Sequence, residues 1–531
     1  MDNIRFVGLY VKINANDTKS DFIASVKKDK VIFRAIFLGG LAVISYLCAK
    51  ITCMEQSKSL IGREAERREL EQSIASSRSE LVIVYGRRRI GKTYLIEQHF
   101  KHTFDFWYVG VRNIPTRTQL KRFGRQLTKY SGTTYKLNDW FDAFDALEEY
   151  LETLPADGKK IVFIDEMPWM DSSRSNFVVA LESFWNGWAM SRGDIMLIAT
   201  GSATSWMRDK LLGNTGGLHS RITRQLHLQP FTLSETERYL QSMGIVWDRY
   251  QILQSYMVMG GVPFYYSLLE PGLSLVQNID RLCFKTDGKL RIEFDELYNA
   301  LFQHADTYIE VVRTLSQHKN GLTNNEISKK IKCNGSMLSK ILKNLERCDF
   351  IERWSQYGNK KREEVFRLTD FYTLFYYKFI EPDNRHEEHW WSKNFDSPGV
   401  LSWMGTSFET VCLRHHRQIK QALGLTVIST ETSNWHVKPN EQEQTPGAQI
   451  DMIIERADRI IHLCEIKFSV GEYIISQEYE KKLRQRMSLF QYHTKNKKSL
   501  VHTFITTYGV ANGKNKSIVH SEVTMDDLFN S

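Results

Sequence analysis

Leu81-Val82-Ile83-Val84-Tyr85-Gly86-Arg87-Arg88-Arg89-Ile90-Gly91-Lys92-Thr93 is the stretch that decides the fold. Its first five residues form an unbroken apolar run, which reads as a short strand. Two glycines then bracket three arginines, and a helical pattern follows from Tyr94. This is GxxxxGKS/T in strand, loop and helix context, a pattern specific for phosphate binding. Gly86 and Gly91 let the backbone wrap the phosphates, while the loop amides and the helix start supply positive potential. Arg87, Arg88, Arg89 and Ile90 complete the expected cradle. Lys92 is expected to reach the β and γ phosphates and Thr93 to ligate magnesium.

Two further strands complete the reaction chemistry. Lys160-Ile161-Val162-Phe163-Ile164-Asp165-Glu166 has four apolar residues in a row, as in a parallel sheet covered on both faces, and ends in carboxylates. Asp165 is expected to hold magnesium, directly or through water, and Glu166 to act as general base on the attacking water. Asp194 to Ala199 reads as a third strand ending in Thr200-Gly201-Ser202. A hydroxyl there senses the γ phosphate or positions water, with Thr200 the first candidate and Ser202 the second. Capping the following helix is the competing reading of Ser202. Of Arg221 and Arg224, Arg221 is the preferred arginine finger, acting in its own chain or on a neighbour.

From Leu60-Ile61-Gly62-Arg63-Glu64 through the GRRRIGKT loop, the FIDE strand, the ATGS strand end and LQPFTLSE, the chain resembles the archaeal-type ATPase family. That family belongs to the AAA-like and signal-transducing P-loop ATPases. The resemblance implies that Ile61, Gly62 and Arg63 lie near the adenine. It also implies an ATPase core over 58–229 and a helical lid over 230–300.

Residues 305–380 read as a winged-helix-like connector. Ile309 to Leu315 forms one amphipathic helix, Thr323 caps a second with Glu326 completing a capping box, and Ser336 is expected to cap a third. Phe350 to Trp354 and Glu364 to Leu368 read as two strands around a polar hairpin. Ser336, Ser339, Lys340 and Lys343 on the third helix, with Lys360, Lys361 and Arg362 in the wing, are the candidate DNA contacts. The same fold also serves as a protein-interaction module. The aromatic run Phe371 to Phe379 reads as a packed helix.

In residues 395–531, Ile450-Asp451-Met452 and Leu463-Cys464-Glu465-Ile466-Lys467 lie on two strands joined by a turn at 456–459, so the hairpin can bring Asp451 near Glu465. Two carboxylates and a lysine meet the needs of metal-assisted phosphodiester hydrolysis: the carboxylates hold a hard cation, and the lysine orients the nucleophile or stabilises the transition state. A surface charge pair is the plainer alternative for Glu465 and Lys467. The constellation resembles the PD-(D/E)xK nuclease superfamily, a restriction-endonuclease-like α/β fold. The resemblance implies metal ligation by Asp451, Glu465 and the helix residue Glu409, catalysis by Lys467, and support from Gln477, Tyr479 and Lys481. The proline of the family pattern is missing; Gln449 and Ile450 stand before Asp451.

Composition sets the outer bounds. With 42% apolar and 25% charged residues in 531, the chain can bury several cores, and a net charge of +9 fits nucleic-acid contact or an ordinary basic surface equally. Seven scattered cysteines without a CxxC pair indicate a reducing compartment. Residues 1–53 form an extension whose apolar run between Arg34 and Lys50 is 15 residues, short of the ~20 that span a bilayer. A start at Met54, a membrane tether through residues 31–53, and a buried or disordered extension are the three readings. The expectation is therefore a cytoplasmic multidomain α/β ATPase, or one tethered through 31–53. Its cofactors are ATP and Mg2+, with a second Mg2+ or Mn2+ in the C-terminal domain; DNA, a protein partner or a second copy are its candidate partners. A nucleotide-switched scaffold that binds without cleaving is the alternative function.

Overall fold

The computed structural model describes residues 3–6 and 9–12 and, apart from 214–216, 303, 355, 359–363, 384–386, 438 and 440–445, residues 60–530. It divides into two units, Met1–Ser59 and Leu60–Ser531. In the first, β1 (Asn3–Phe6) pairs antiparallel with β2 (Leu9–Lys12). The apolar segment 31–53 and Met54 lie outside the described residues. Among the described residues, no helix is long and apolar enough to cross a membrane.

The second unit begins with a five-stranded sheet of β3 (Glu80–Tyr85), β4 (Phe106–Val109), β5 (Lys160–Asp165), β6 (Ile195–Gly201) and β7 (Arg224–His227). Its order is β4-β5-β6-β3-β7, with every neighbouring pair parallel. Both faces are covered, which is why β3 and β6 are apolar without alternation. Leu81 and Ile83 face a cluster containing Phe106, Phe123, Trp140 and Phe177, while Val82 and Val84 face Leu70, Leu95 and Ile96. Each such side chain, fully buried, contributes about 1.5–3 kcal/mol. The sheet's carboxyl ends therefore present the loops after β3, β5 and β6 along one edge.

The helical lid follows, with helices at Leu233–Ser242, Arg249–Met259, Pro263–Ser267, Leu275–Ile279 and Lys289–Leu301. Three of them start in complete capping boxes, Thr232 with Glu235, Asp248 with Gln251 and Ser274 with Gln277.

Residues 305–380 hold helices Ala305–Ser316, Asn324–Lys330 and Gly335–Arg347, and an antiparallel sheet of β8 (Leu322–Thr323), β9 (Ile351–Trp354) and β10 (Val365–Leu368) in the order β8-β10-β9. The Thr323–Glu326 capping box forms as expected. Ser336 does not cap the third helix: Asn334 does, its side chain accepting from the Met337 amide at 2.8 Å, while Ser336 Oγ donates to Asn334 Oδ1. The helix begins at Gly335, so Asn334 precedes its first turn and Ser336 already lies inside it. Lys360, Lys361 and Arg362 lie outside the described residues. Phe371, Tyr372 and Phe375 are buried in a core, as the packed-helix reading requires.

The C-terminal sheet runs in sequence order, β11 (Thr430–Val437), β12 (Ala448–Arg456), β13 (Ile460–Lys467), β14 (Ser499–Thr506) and β15 (Val519–Thr524). It is antiparallel up to β13 and parallel beyond, with helix Gln477–Thr494 as the crossover from β13 to β14. One hydrophobic core runs from the lid through the connector into this sheet, joining residues such as Leu253, Leu342, Phe375 and Ile466. The three expected modules are thus packed against one another rather than strung on linkers.

Candidate functional site

Gly86 turns out of β3 with φ +149°, and a Cβ there would lie 2.5 Å from the Leu228 carbonyl oxygen. Only glycine lets the loop pass so close to β7's end, which leaves a backbone cradle bounded by Gly91, itself left-handed at φ +84°. The helix Lys92–His99 starts at that point. Its first side chain folds back over the cradle: Lys92 Nζ donates to Gly86 O at 3.1 Å, Arg87 O at 3.0 Å and Ser202 Oγ at 2.9 Å. Burial lowers the lysine's pKa, against the opposing pull of Glu166 and Asp165.

Thr93 Oγ1 lies 3.0 Å and 3.1 Å from the two Asp165 oxygens, bringing the expected magnesium ligands into contact across β3 and β5. Thr200, fully buried, donates its hydroxyl to Asp165 Oδ1. Burial raises the Asp165 pKa, moderated by the Thr200 bond. Glu166 sits in the left-handed region at φ 49°, which swings its carboxylate toward β6. Ser202 Oγ donates to Glu166 Oε1 at 2.5 Å, and the Ser202 amide donates to Oε2 at 3.3 Å. Ser202 is therefore not spent on a cap; Ala203 occupies the cap position of the next helix. Thr200 and Ser202 divide the strand end between Asp165 and Glu166.

The three loop arginines part company. Arg87, expected beside the nucleotide, turns its guanidinium away into the connector, where it donates to the Asp370 carboxylate and lies 4.8 Å over the Phe350 ring. Arg89 makes a two-pronged bond to Glu293 of the lid at 2.9 and 3.1 Å and lies 4.1 Å over Phe264. Carboxylates of the packed neighbours pair with both guanidinium groups and draw them off the cradle, which leaves the loop backbone facing the phosphates. Arg88 is half-buried and has no ion pair among the described residues. The Ile90 side chain is core, and its carbonyl accepts from Arg63 Nη2 at 3.4 Å. Arg63 is itself buried, its amide donating to Glu235 Oε1 at 3.0 Å, so the Ile61-Gly62-Arg63 turn is tied to both loop and lid. Arg221 is exposed, and Arg224 pairs with Glu69 at 2.9 Å.

The third connector helix docks beside this site. Ser205 Oγ donates to Asn344 Oδ1 at 2.6 Å, and Arg347 and Lys343 lie 2.8 and 3.7 Å from Asp209. Ser336, Ser339 and Lys340 stay exposed at its other end.

In the C-terminal sheet the β12–β13 ladder ends at Met452 paired with Cys464, with Asp451 and Glu465 each one residue beyond that last pair. Lys467 Nζ is 2.7 Å from Glu465 Oε1, and Arg486 is 2.6 Å from Oε2. Tyr479 donates its hydroxyl to the same carboxylate. Burial opposes the Glu465 charge, but Lys467 and Arg486 prevail and lower its pKa. Gln477 and Lys481, expected as helpers, point to solvent. Arg486 was not foreseen, although it lies two helical turns beyond Tyr479 on the same stripe.

Asp451 has a second environment. Ser433 pairs with Ile453 but Trp435 with Ile450, so Asp451 and Met452 bulge opposite Asn434. Asp451 there lines a small cleft with Glu409, Lys319, Arg367 and Gln449. Lys319 Nζ is 2.8 Å from Glu409 Oε1, and Gln449 donates to Asp451 Oδ1 at 2.8 Å. Burial, then Asp451, raises the Glu409 pKa. Glu409, Asp451 and Glu465 were expected as one metal set. Among the described residues, however, no three His, Cys, Asp or Glu side chains group to hold a metal. Cations account for this: Lys467 and Arg486 hold Glu465 under helix Gln477–Thr494, and Lys319 holds Glu409 on the connector side.

Residues 60–244 match the model of a family described as an ATPase domain predominantly from Archaea. An uncharacterized protein of Methanocaldococcus jannaschii is 26% identical over 326 residues, 61% of this chain and 69% of that protein. Among solved structures, a Walker-type ATPase of Pyrococcus abyssi is similar with a TM-score of 0.44 and 17% identity, over 60% of this chain and 96% of its own. The ORC2 protein of Aeropyrum pernix, in ADPNP and ADP complexes, is similar with a TM-score of 0.39 and 18% identity, over 61% and 93%.

Proposed function

We propose, from the premise that residues 60–244 are an archaeal-type P-loop ATPase domain that hydrolyses ATP, that this chain couples that hydrolysis to a C-terminal domain acting on nucleic acid. The cradle of Gly86 to Gly91 takes the phosphates, and Lys92 turns from the loop carbonyls toward them. Thr93 and Asp165 fit magnesium, being adjacent hard oxygen donors on two strand ends. Magnesium supplies neutralisation of phosphate charge. Glu166 takes the proton of the attacking water, with Ser202 holding its carboxylate in line. The exposed Arg221 supports a finger role toward a neighbouring copy.

Three helices with a small antiparallel sheet support a winged helix over 305–380, with Ser336, Ser339 and Lys340 exposed on the side a DNA backbone would meet. The observation that supports the nuclease reading is that Asp451 and Glu465 each stand one residue beyond the last β12–β13 pair, Met452 with Cys464, with Lys467 2.7 Å from that glutamate. The test is cleavage of single- and double-stranded DNA and RNA, with Mg2+ or Mn2+, with and without ATP. Asp451→Asn and Lys467→Ala should abolish cleavage and leave ATP hydrolysis intact. A wild-type protein that hydrolyses ATP and cuts none of these substrates overturns the reading.

The cation partners of Glu465 and Glu409 favour a second reading, a nucleotide-switched scaffold that binds a partner without cutting. There Lys92→Ala removes function and Asp451→Asn does not.

A further inference from the structure

Between the phosphate cradle and the Glu409–Asp451 cleft lies a single short piece of the connector, the end of β10 and the turn after it. At one end Asp370 binds the Arg87 guanidinium in full burial and caps the helix Phe371–Phe375 by accepting from the Thr373 amide at 2.9 Å. At the other, three residues earlier, Arg367 lines the acidic cleft and donates to Thr410 Oγ1 at 3.3 Å, one residue from Glu409. Lys319 of the same connector closes the cleft on Glu409.

Two features make this piece responsive. An ammonium has three donors, and those of Lys92 are taken by Gly86 O, Arg87 O and Ser202 Oγ. A phosphate oxygen that gains one of them must displace one of these acceptors, two of which are the loop carbonyls that set the path at Arg87. The Arg87 guanidinium is also incompletely satisfied: Nη1 meets Asp370, but Nε and Nη2 are buried without a hydrogen-bond partner. Buried donors without acceptors are costly, so the loop conformation at Arg87 is not held by a fully satisfied guanidinium.

We infer that Arg87 and Asp370 form a relay by which phosphate in the cradle moves the Arg367–Asp370 segment and lifts Arg367 and Lys319 from the Glu409–Asp451 cleft. The connector is then an autoinhibitory plug on the acidic site, its two cations standing where a divalent cation or a phosphodiester's counter-charge would act. Access to the cleft follows the nucleotide state of a loop in another domain. The inference rests on the reading of that cleft as part of the C-terminal acidic site, but the movement is read without any cleavage.

Amide hydrogen exchange of the full chain, with and without Mg2+ and a non-hydrolysable ATP analogue, tests it. Peptides covering 364–373 and 446–453 should exchange faster together on nucleotide binding, by about threefold or more. Asp370→Asn should bind a fluorescent ATP analogue normally and lose the response at 446–453; should that variant not fold, Arg367→Met, which removes a plug cation, should exchange as fast at 446–453 without nucleotide as wild type does with it. Lys319→Met should speed exchange at 446–453 without nucleotide. A wild-type chain saturated with nucleotide and unchanged at 446–453, or a relay variant that responds like wild type, overturns the inference. Failure of every cleavage assay beside a positive exchange result would remove the nuclease and leave the relay.

Discussion

Ser202 Oγ donates to Glu166 Oε1 at 2.5 Å while accepting from Lys92 Nζ at 2.9 Å, so one hydroxyl on β6 sets both the base and the phosphate-binding lysine. Ser202→Ala should lower the ATP turnover number about 10-fold and leave nucleotide affinity within about twofold, because the base loses its orientation and not its charge. Glu166→Gln, which removes the base, should cost roughly 10²- to 10⁴-fold in the same assay of phosphate release. Equal losses from both substitutions would contradict the division of roles.

Asp370→Ala leaves the Arg87 charge buried without its carboxylate. Breaking one side of a buried pair costs on the order of 3–5 kcal/mol, whereas replacing both partners by apolar groups can be neutral. Urea unfolding should show that loss for Asp370→Ala and recovery of most of it in Arg87→Met with Asp370→Leu.

Arg486→Met removes one of the two cations that hold Glu465. Mn2+ binding, followed by the electron-spin signal of the free ion, should tighten by about tenfold, the equivalent of one charge-assisted hydrogen bond released from competition. Asp451→Asn in the same background should reverse the gain. Unaltered Mn2+ binding in Arg486→Met would argue for the scaffold reading.

Three buried histidines make stability sensitive to acid. His415, His462 and His502 are each held down to about 4, chiefly by burial. His415 Nε2 accepts from the Leu233 amide at 3.2 Å, a bond that only the neutral ring can make. The unfolded chain binds these protons near pH 6.5, so stability is full above that pH and is lost as pH falls toward 4. Each histidine should remove about 1.4 kcal/mol per pH unit within this window. Urea midpoints at pH 7.5, 6 and 5 should fall in that order, and His415→Gln should flatten the slope.

The contact of Thr93 with Asp165 and the glycine turns of the loop follow from local spacing. Gly86, Gly91, Lys92 and Thr93 lie within eight positions, and the carboxylates after β5 need only a parallel neighbour to meet them. The C-terminal hairpin was legible for the same reason, as a two-strand register over a short turn. Arg87 and Arg89 were misread because a sequence displays a charge without its partner. Asp370 lies 283 positions from Arg87, and Glu293 lies 204 from Arg89. The split of Glu409 and Asp451 from Glu465 likewise depended on a bulge opposite Asn434 and on Lys319 of the connector.

Glycine spacing, unbroken apolar runs and strand alternation act over a few residues, and they sufficed for the parallel sheet with its phosphate loop and for the acidic hairpin, while the helical lid came from the family resemblance. Which charges are free to act depended on packing between distant segments. A buried guanidinium takes whichever carboxylate the packing brings, and that packing is one core shared by lid, connector and C-terminal sheet.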